Sequence, residues 1–411
     1  MAGPPKAQGA GHARRLAAAA LVLGGAAAAA WAQAPRPAAV TFGKAEAEAC
    51  VPTERAVTVL AVGDVLLHET VQQWAARQPE GLLPAFEDVR ALVQAADVAV
   101  ANLEGPAALG VAPGGRAMKT PPAGRFDKVA YSGYPMFNYH PAVVTELART
   151  GFQVLQTANN HALDRGSLGA DLTLQAIDAA GLRRTGTRAS GQTDAPWHTT
   201  VEVRRGAARH TLAFVACSYG TNGMPDPGRQ VLLCHDQKDE LLAVVRGLHA
   251  RSDVHAVIVL PHWGQEYQSR PDARQQALAR ELADAGATAI IGTHPHVVQP
   301  LERLQAADGR EVAVAWSLGN FISHQVGVER LSSMLLALAL VPGPGPEARL
   351  QPRALGWVPI RTRTSPAFSV LRLEGATDPD SRLALAHLRR TLAEENLHPG
   401  QPPFWAHRAC R

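Results

Sequence analysis

Four cysteines in 411 residues are too few for a cysteine-built scaffold, and their spacing fits no zinc-binding pattern. Aromatic residues make up only 5%, and no basic stripe runs interleaved with them, so a nucleic-acid partner is not indicated. Charge of either sign is nearly balanced. The formal +4 includes Lys6, Arg14 and Arg15, with no acidic residue in 1–34, so it falls to +1 without that stretch. Beyond residue 34 there is no apolar run long enough to span a bilayer, no internal repeat and no low-complexity tract. What remains is a regular succession of strand and helix signals from 56 to about 340, the pattern of one large α/β domain.

Residues 1–34 read as a targeting segment. A positive n-region precedes the apolar stretch 16–30, and Ala30-Trp31-Ala32 and Ala32-Gln33-Ala34 offer small residues to a signal peptidase. The alternative is an uncleaved N-terminal anchor over 16–32, since about 17 apolar residues reach the lower limit for a span. In both cases the remaining chain is expected to be exported, periplasmic or extracellular. There the cysteines are expected as two disulfides, Cys217 with Cys234 and Cys50 with Cys410, although three pairings exist and spacing does not choose among them.

Runs of aliphatic and β-branched residues at 57–62, 98–103, 154–157, 254–260 and 289–292 read as buried strands. Helical segments are expected at 86–96, 142–150, 168–180, 240–250 and 273–285. Gly151, Gly181 and Gly286 stop three of them, and Asp272 caps the last. The Gly/Pro-rich stretch 106–138 reads as an extended surface loop. A hairpin is expected at 199–217, a turn at Asp308-Gly309 before a strand at 312–317, and a loop at 342–346. A strand at 367–373 and a final helix, capped by Asp380 and running to about 393, complete the chain. The expected organisation is a targeting segment at 1–34, a domain at 52–375 and a C-terminal helix and tail at 376–411.

Each of the five buried runs ends in residues that bind metals. Asp64 and His68 follow the first, Asn102 and Glu104 the second, Asn160 and His161 the third, His262 the fourth, and His294 and His296 the fifth. Ligand sites of open α/β sheets gather where strands end at their carboxyl side, so parallel strands bring these residues to a common edge. In an extended Gly292-Thr-His-Pro-His296, residues two apart face the same way and Pro295 keeps the segment stiff, so both imidazoles aim at one site. Gly63 is expected to turn the chain sharply before Asp64, a bridging carboxylate or a plain helix cap. Asn160 can bind a hard cation without adding charge, leaving His161 to protonate a leaving group. Glu266 and Tyr267 are candidates for orienting the ligands.

GDVLLH, NLEG, ANNHALD, PHWGQEY, GTHPHVVQP and SLGNFI, in that order, resemble the CapA family of bacterial capsule synthesis proteins linked to poly-γ-glutamate, from about residue 57 to at least 325. That family is similar to the calcineurin-like metallophosphatases. The resemblance therefore implies a four-layer α/β/β/α sandwich with two divalent metal ions (Mn, Fe or Zn). Asp64, Glu104, Asn160, His262, His294 and His296 are the implied ligands and His161 the implied catalytic histidine. Asn320 would line the same edge, with His68, Asn102, Glu266 and Tyr267 supporting ligands or substrate. Two departures stand out: the superfamily's Asp-x-His pair is here Asp64 with its nearest His at 68, and Glu104 replaces an Asp.

Three functions fit these residues. One is biosynthesis, export or trimming of an extracellular anionic polymer such as poly-γ-glutamate; another is a periplasmic metal-dependent phosphoesterase. The third is a non-catalytic subunit that joins other membrane-bound subunits of a polymer synthase.

Overall fold

Strands whose every residue is buried, such as VTVLAVGDV and AVIVLPH, can only lie between two covering layers. The computed structural model describes residue 3 and residues 54–343 and 348–392. The targeting segment 1–34, the Cys50–Cys410 pairing and most of the 342–346 loop lie outside the described residues. The strands are β1 (Val57–Val65), β2 (Val98–Leu103), β3 (Val111–Ala112), β4 (Arg116–Ala117), β5 (Val154–Gln156), β6 (Arg183–Thr185), β7 (His198–Arg205) and β8 (Ala208–Ser218). They continue with β9 (Ala256–His262), β10 (Ala289–Ile291), β11 (Leu301–Gln305), β12 (Glu311–Ala315), β13 (Asn320–Ile322), β14 (Ser332–Pro342), β15 (Leu350–Arg363) and β16 (Ser369–Arg372). The helices are α1 (Glu69–Ala76), α2 (Glu87–Ala95), α3 (Ala142–Thr150), α4 (Gly166–Ala179), α5 (Lys238–Ala250), α6 (Ala273–Ala285), α7 (Val328–Leu331) and α8 (Pro379–Thr391).

Two mixed sheets result. The first has the order β16-β15-β14-β1-β2-β5-β6, with β13 added parallel to β1. The second has the order β11-β12-β10-β9-β8-β7. Side-chain alternation along a strand divides each sheet between two cores. On β1, Val57, Val59 and Ala61 meet Phe214, Ile258 and Ile291 of the second sheet, whereas Leu60 and Val62 join Val89, Leu92 and Leu147 of α2 and α3. On β8, Ala213 and Val215 turn outward against Leu241, Val245, Leu278 and Leu282 of α5 and α6. The architecture is the expected α/β/β/α sandwich. Ala384, Leu388 and Leu392, on and just beyond α8, contribute to the core between the sheets.

The strand-end residues do not share one sheet edge. β1, β2 and β5 run parallel in the first sheet and β9 and β10 parallel in the second, so the common site lies where the two sheets face each other. Strands β14 and β15 were not expected; an apolar Leu/Ala run such as MLLALAL has no period that separates a buried strand from a buried helix. Helix α1 was also missed. The cap of α8 is Asp378, whose side chain accepts the Ser381 amide at 3.0 Å, and Asp380 falls in the first turn behind Pro379. The 106–138 stretch is only partly a surface loop: Tyr131 and Phe137 are fully buried, and Phe137 belongs to the core under the first sheet.

Other local expectations hold. Asp272 accepts the Gln275 amide at 2.8 Å while Gln275 accepts the Asp272 amide at 3.0 Å, a full capping box, and Gly286 closes α6 with φ 119°. Cys217 and Cys234 form a disulfide with a Cα–Cα distance of 5.0 Å. Among the described residues no helix is long and apolar enough to cross a membrane.

Candidate metal centre

Gly63 acts by close approach and not by a turn. A Cβ there would lie 1.7 Å from the Gly319 carbonyl oxygen, so only glycine lets the two backbones touch, and the Asp64 amide donates to that oxygen at 3.0 Å. The β1–β2 register shifts between Ala61 and Asp64, and this irregularity sets Asp64 beside Asn102. Asp64 is therefore a strand residue and caps no helix. Asn102 donates through Nδ2 to Asp64 Oδ1 at 2.7 Å, and Asn159 donates to Asn102 Oδ1 and to the Leu103 carbonyl at 3.2 and 2.8 Å. This amide chain fixes the ends of β1 and β2 and the turn after β5.

Glu104, just beyond β2, is fully buried, and neither carboxylate oxygen has a hydrogen-bond partner. Burial, reinforced by the neighbouring Asp64, pushes its carboxyl well above the usual range. The second sheet faces it with imidazoles. His262 ends β9, its Nδ1 3.0 Å from Thr293 Oγ1 and its Nε2 2.9 Å from Asn160 Oδ1. His294 and His296 are not in an extended segment. Their φ values of 98° and 60° put both in the left-handed region, so a bent backbone aims both rings inward. Burial, with neighbouring imidazoles, holds His262 and His294 well below their ordinary values, which keeps both rings neutral.

Ligand atoms of three groups come within 4.8 Å of one another: Asp64, Glu104 and His296; Glu104, His262 and His294; and Glu266, His294 and His296. Glu104 belongs to the first two. Asn160 Oδ1 adjoins the second group through His262, and Asn320 Oδ1 adjoins the first, 3.0 Å from His296 Nδ1. Two carboxylate oxygens and a His294 Nδ1 without hydrogen-bond partners, buried together, form a set of ligand atoms that no Lys or Arg pairs with among the described residues. Such a set fits cations.

His161 follows Asn160 and makes a 2.7 Å hydrogen bond from Nδ1 to Asp164 Oδ2. Asp164 also accepts the Phe137 amide at 2.7 Å, and the Phe137 ring stands edge-on to His161, centroids 4.7 Å apart. His68 lies in none of the three groups. It stands half-exposed ahead of α1, its Nδ1 accepts the His324 amide at 3.2 Å, and burial lowers its pKa to about 4. Glu266 is exposed, and Tyr267 stands 6.1 Å from the His296 ring. Asp164, Tyr219, Asn222 and Thr293 were not singled out in the sequence. The Tyr219 ring lies 4.3 Å from that of His294, and Asn222 accepts from Asn160 Nδ2 at 3.3 Å. The spacing of three from His161 to Asp164 was a signal; the other contacts are long-range.

Residues 58–325 match the family described as bacterial capsule synthesis protein PGA_cap. The chain belongs to this family. Among curated capsule-family proteins it is 31% identical over 192 residues to a capsule biosynthesis protein CapA of Bacillus anthracis, covering 44% of this chain and 43% of that one. It is 34% identical over 182 residues to a PGA biosynthesis protein CapA of Bacillus subtilis (strain 168), covering 44% and 45%. The matched segment thus spans less than half the length of these relatives. Among solved structures, a putative 5'-nucleotidase of Staphylococcus aureus aligns at a TM-score of 0.42 and 12% identity, covering 82% of this chain and 58% of that one.

Proposed function

We propose that this capsule-family protein is an exported metal-dependent hydrolase acting on an extracellular anionic polymer, with γ-linked polyglutamate as the substrate class. The observation that carries the reading is Glu104: one buried carboxylate, without a hydrogen-bond partner, shared by two ligand groups. Asp64, Glu104 and His296, with Asn320 beside them, would hold one divalent ion; Glu104, Asn160, His262 and His294 would hold the other. Such a pair, when bound, polarises the bond to be broken and supplies a nucleophilic water at neutral pH. The protein's own part is the proton. Asp164 fixes His161 through Nδ1 and leaves Nε2 to protonate the departing group. Membership of a capsule synthesis family and the names of the Bacillus relatives support the polymer, and the Cys217–Cys234 disulfide supports an oxidising compartment.

The test uses the full chain loaded with Mn²⁺ and offered γ-linked glutamate oligomers and, separately, an aryl phosphate. Cleavage of the oligomers that needs the metal and is lost in His161→Ala is the expected result. Turnover of the aryl phosphate alone would make the protein a phosphoesterase. Two bound metal equivalents with no turnover of either would assign it to a non-catalytic role beside synthase subunits.

A further inference from the structure

We infer that Arg330 and Tyr267 form an anion subsite beside the metal centre, receiving an oxyanion that the substrate carries next to the reacting bond. The inference rests on the metal-centre reading and adds to it what the substrate must present. The Arg330 guanidinium carbon lies 4.0 Å from the centre of the Tyr267 ring, which stands 6.1 Å from the ring of His296. Both residues are tied to the centre through their backbones. The Tyr267 amide donates to the Pro295 carbonyl at 2.8 Å, inside the bend that carries His294 and His296. The Arg330 carbonyl accepts from Asn320 Nδ2 at 2.9 Å, and Asn320 Oδ1 is 3.0 Å from His296 Nδ1.

The charge of Arg330 meets an aromatic face and no carboxylate among the described residues. Arg303, Arg310 and Arg361 each pair with a carboxylate, whereas among the described residues no carboxylate lies within ion-pair distance of Arg330; Glu266 stands instead at the Tyr267 hydroxyl, and Glu329 precedes Arg330 in the chain. A guanidinium held against an aromatic face keeps its in-plane N–H groups free, and that fork matches a carboxylate or phosphate. Tyr267 is 42% exposed, so the pair lies at the rim, open to a substrate. A γ-linked glutamyl chain carries an α-carboxylate close to each amide, and a phosphoester carries its own oxyanions; the subsite chemistry is shared.

Binding of γ-linked triglutamate and of inorganic phosphate to the metal-loaded full chain, measured by titration calorimetry with metal content assayed on the same samples, separates the sources. Arg330→Gln is expected to weaken at least one probe about tenfold or more, with metal content unchanged. Loss for triglutamate alone assigns a polymer carboxylate, and loss for phosphate alone a phosphoester. Tyr267→Leu should reproduce the loss and Tyr267→Phe should not, which covers the case of a poorly folded Arg330 variant. Unchanged binding of both probes in Arg330→Gln and Tyr267→Leu overturns the subsite, as does a fully metallated wild type that binds neither. If the wild type takes up no metal, the metal-centre reading fails by itself. The subsite then stands only if Arg330→Gln still weakens phosphate binding to the metal-free protein.

Discussion

The two sheets supply different chemistry to one centre. The first brings oxygen donors: Asp64 on β1, Glu104 after β2, Asn160 in the turn after β5, and Asn320 on β13. The second brings nitrogen donors, His262 at the end of β9 and His294 and His296 beyond β10. Both of the ligand groups that share Glu104 draw from both sheets, whereas the third, Glu266 with His294 and His296, comes from the second sheet alone. The comparison teaches that the centre belongs to the packing of two β-layers. Glu104, the one donor common to both groups, is where that dependence is greatest.

The largest effect is therefore expected at Glu104. Glu104→Gln should weaken both ions by more than about a hundredfold, beyond the range typical for residues that only support ligands, as read by metal analysis after dialysis. The same change should leave the metal-free protein at least as stable as metal-free wild type, because it replaces a buried carboxyl that lies against the Asp64 carboxylate by a neutral amide. Thermal melts with and without Mn²⁺ test both signs. A variant that still binds two ions tightly would break the comparison at its centre.

Asp64→Ala and His262→Ala come next. Each lies in one of the two groups that share Glu104 and not in the other, so each should reduce two bound equivalents to one while the other ion remains. Loss of both ions in either variant would mean that the groups do not act separately. A smaller effect belongs to Thr293→Val, which removes the hydroxyl 3.0 Å from His262 Nδ1 and should cost about ten- to a hundredfold in affinity for one ion, read by competition with a chelating dye. The smallest is Asp272→Ala. It deletes the capping box of α6 on the outer face of the second sheet, so about 1 kcal/mol of stability should be lost in denaturant melts with metal affinity unchanged.

Much of the site was legible because the signals are local. A buried strand reads as an apolar run, its end as the first polar residue, and Asp64, Glu104, Asn160, His262, His294 and His296 all stand at such ends. What misled was local geometry inferred from pattern. The i, i+2 rule placed His294 and His296 on one face of an extended chain, but they converge through left-handed backbone that no periodicity announces. Gly63 suggested a turn, and its role depends on Gly319, a residue 256 positions away. His68, expected to support ligands or substrate, stands ahead of α1 and in none of the three ligand groups.

The sequence by itself determined the kinds of donor, the strands that carry them, the caps of α6 and the family, because each depends on residue type and on neighbours a few positions away. Only the tertiary structure decided that the donors divide by element between two sheets and that Glu104 joins both groups. It alone set Arg330 over the Tyr267 ring, with no carboxylate at ion-pair distance among the described residues. Those outcomes depend on contacts between residues far apart in the chain, such as Asp64 with His296 and Asn160 with His262, and only the packing of the two sheets against each other brings such pairs together.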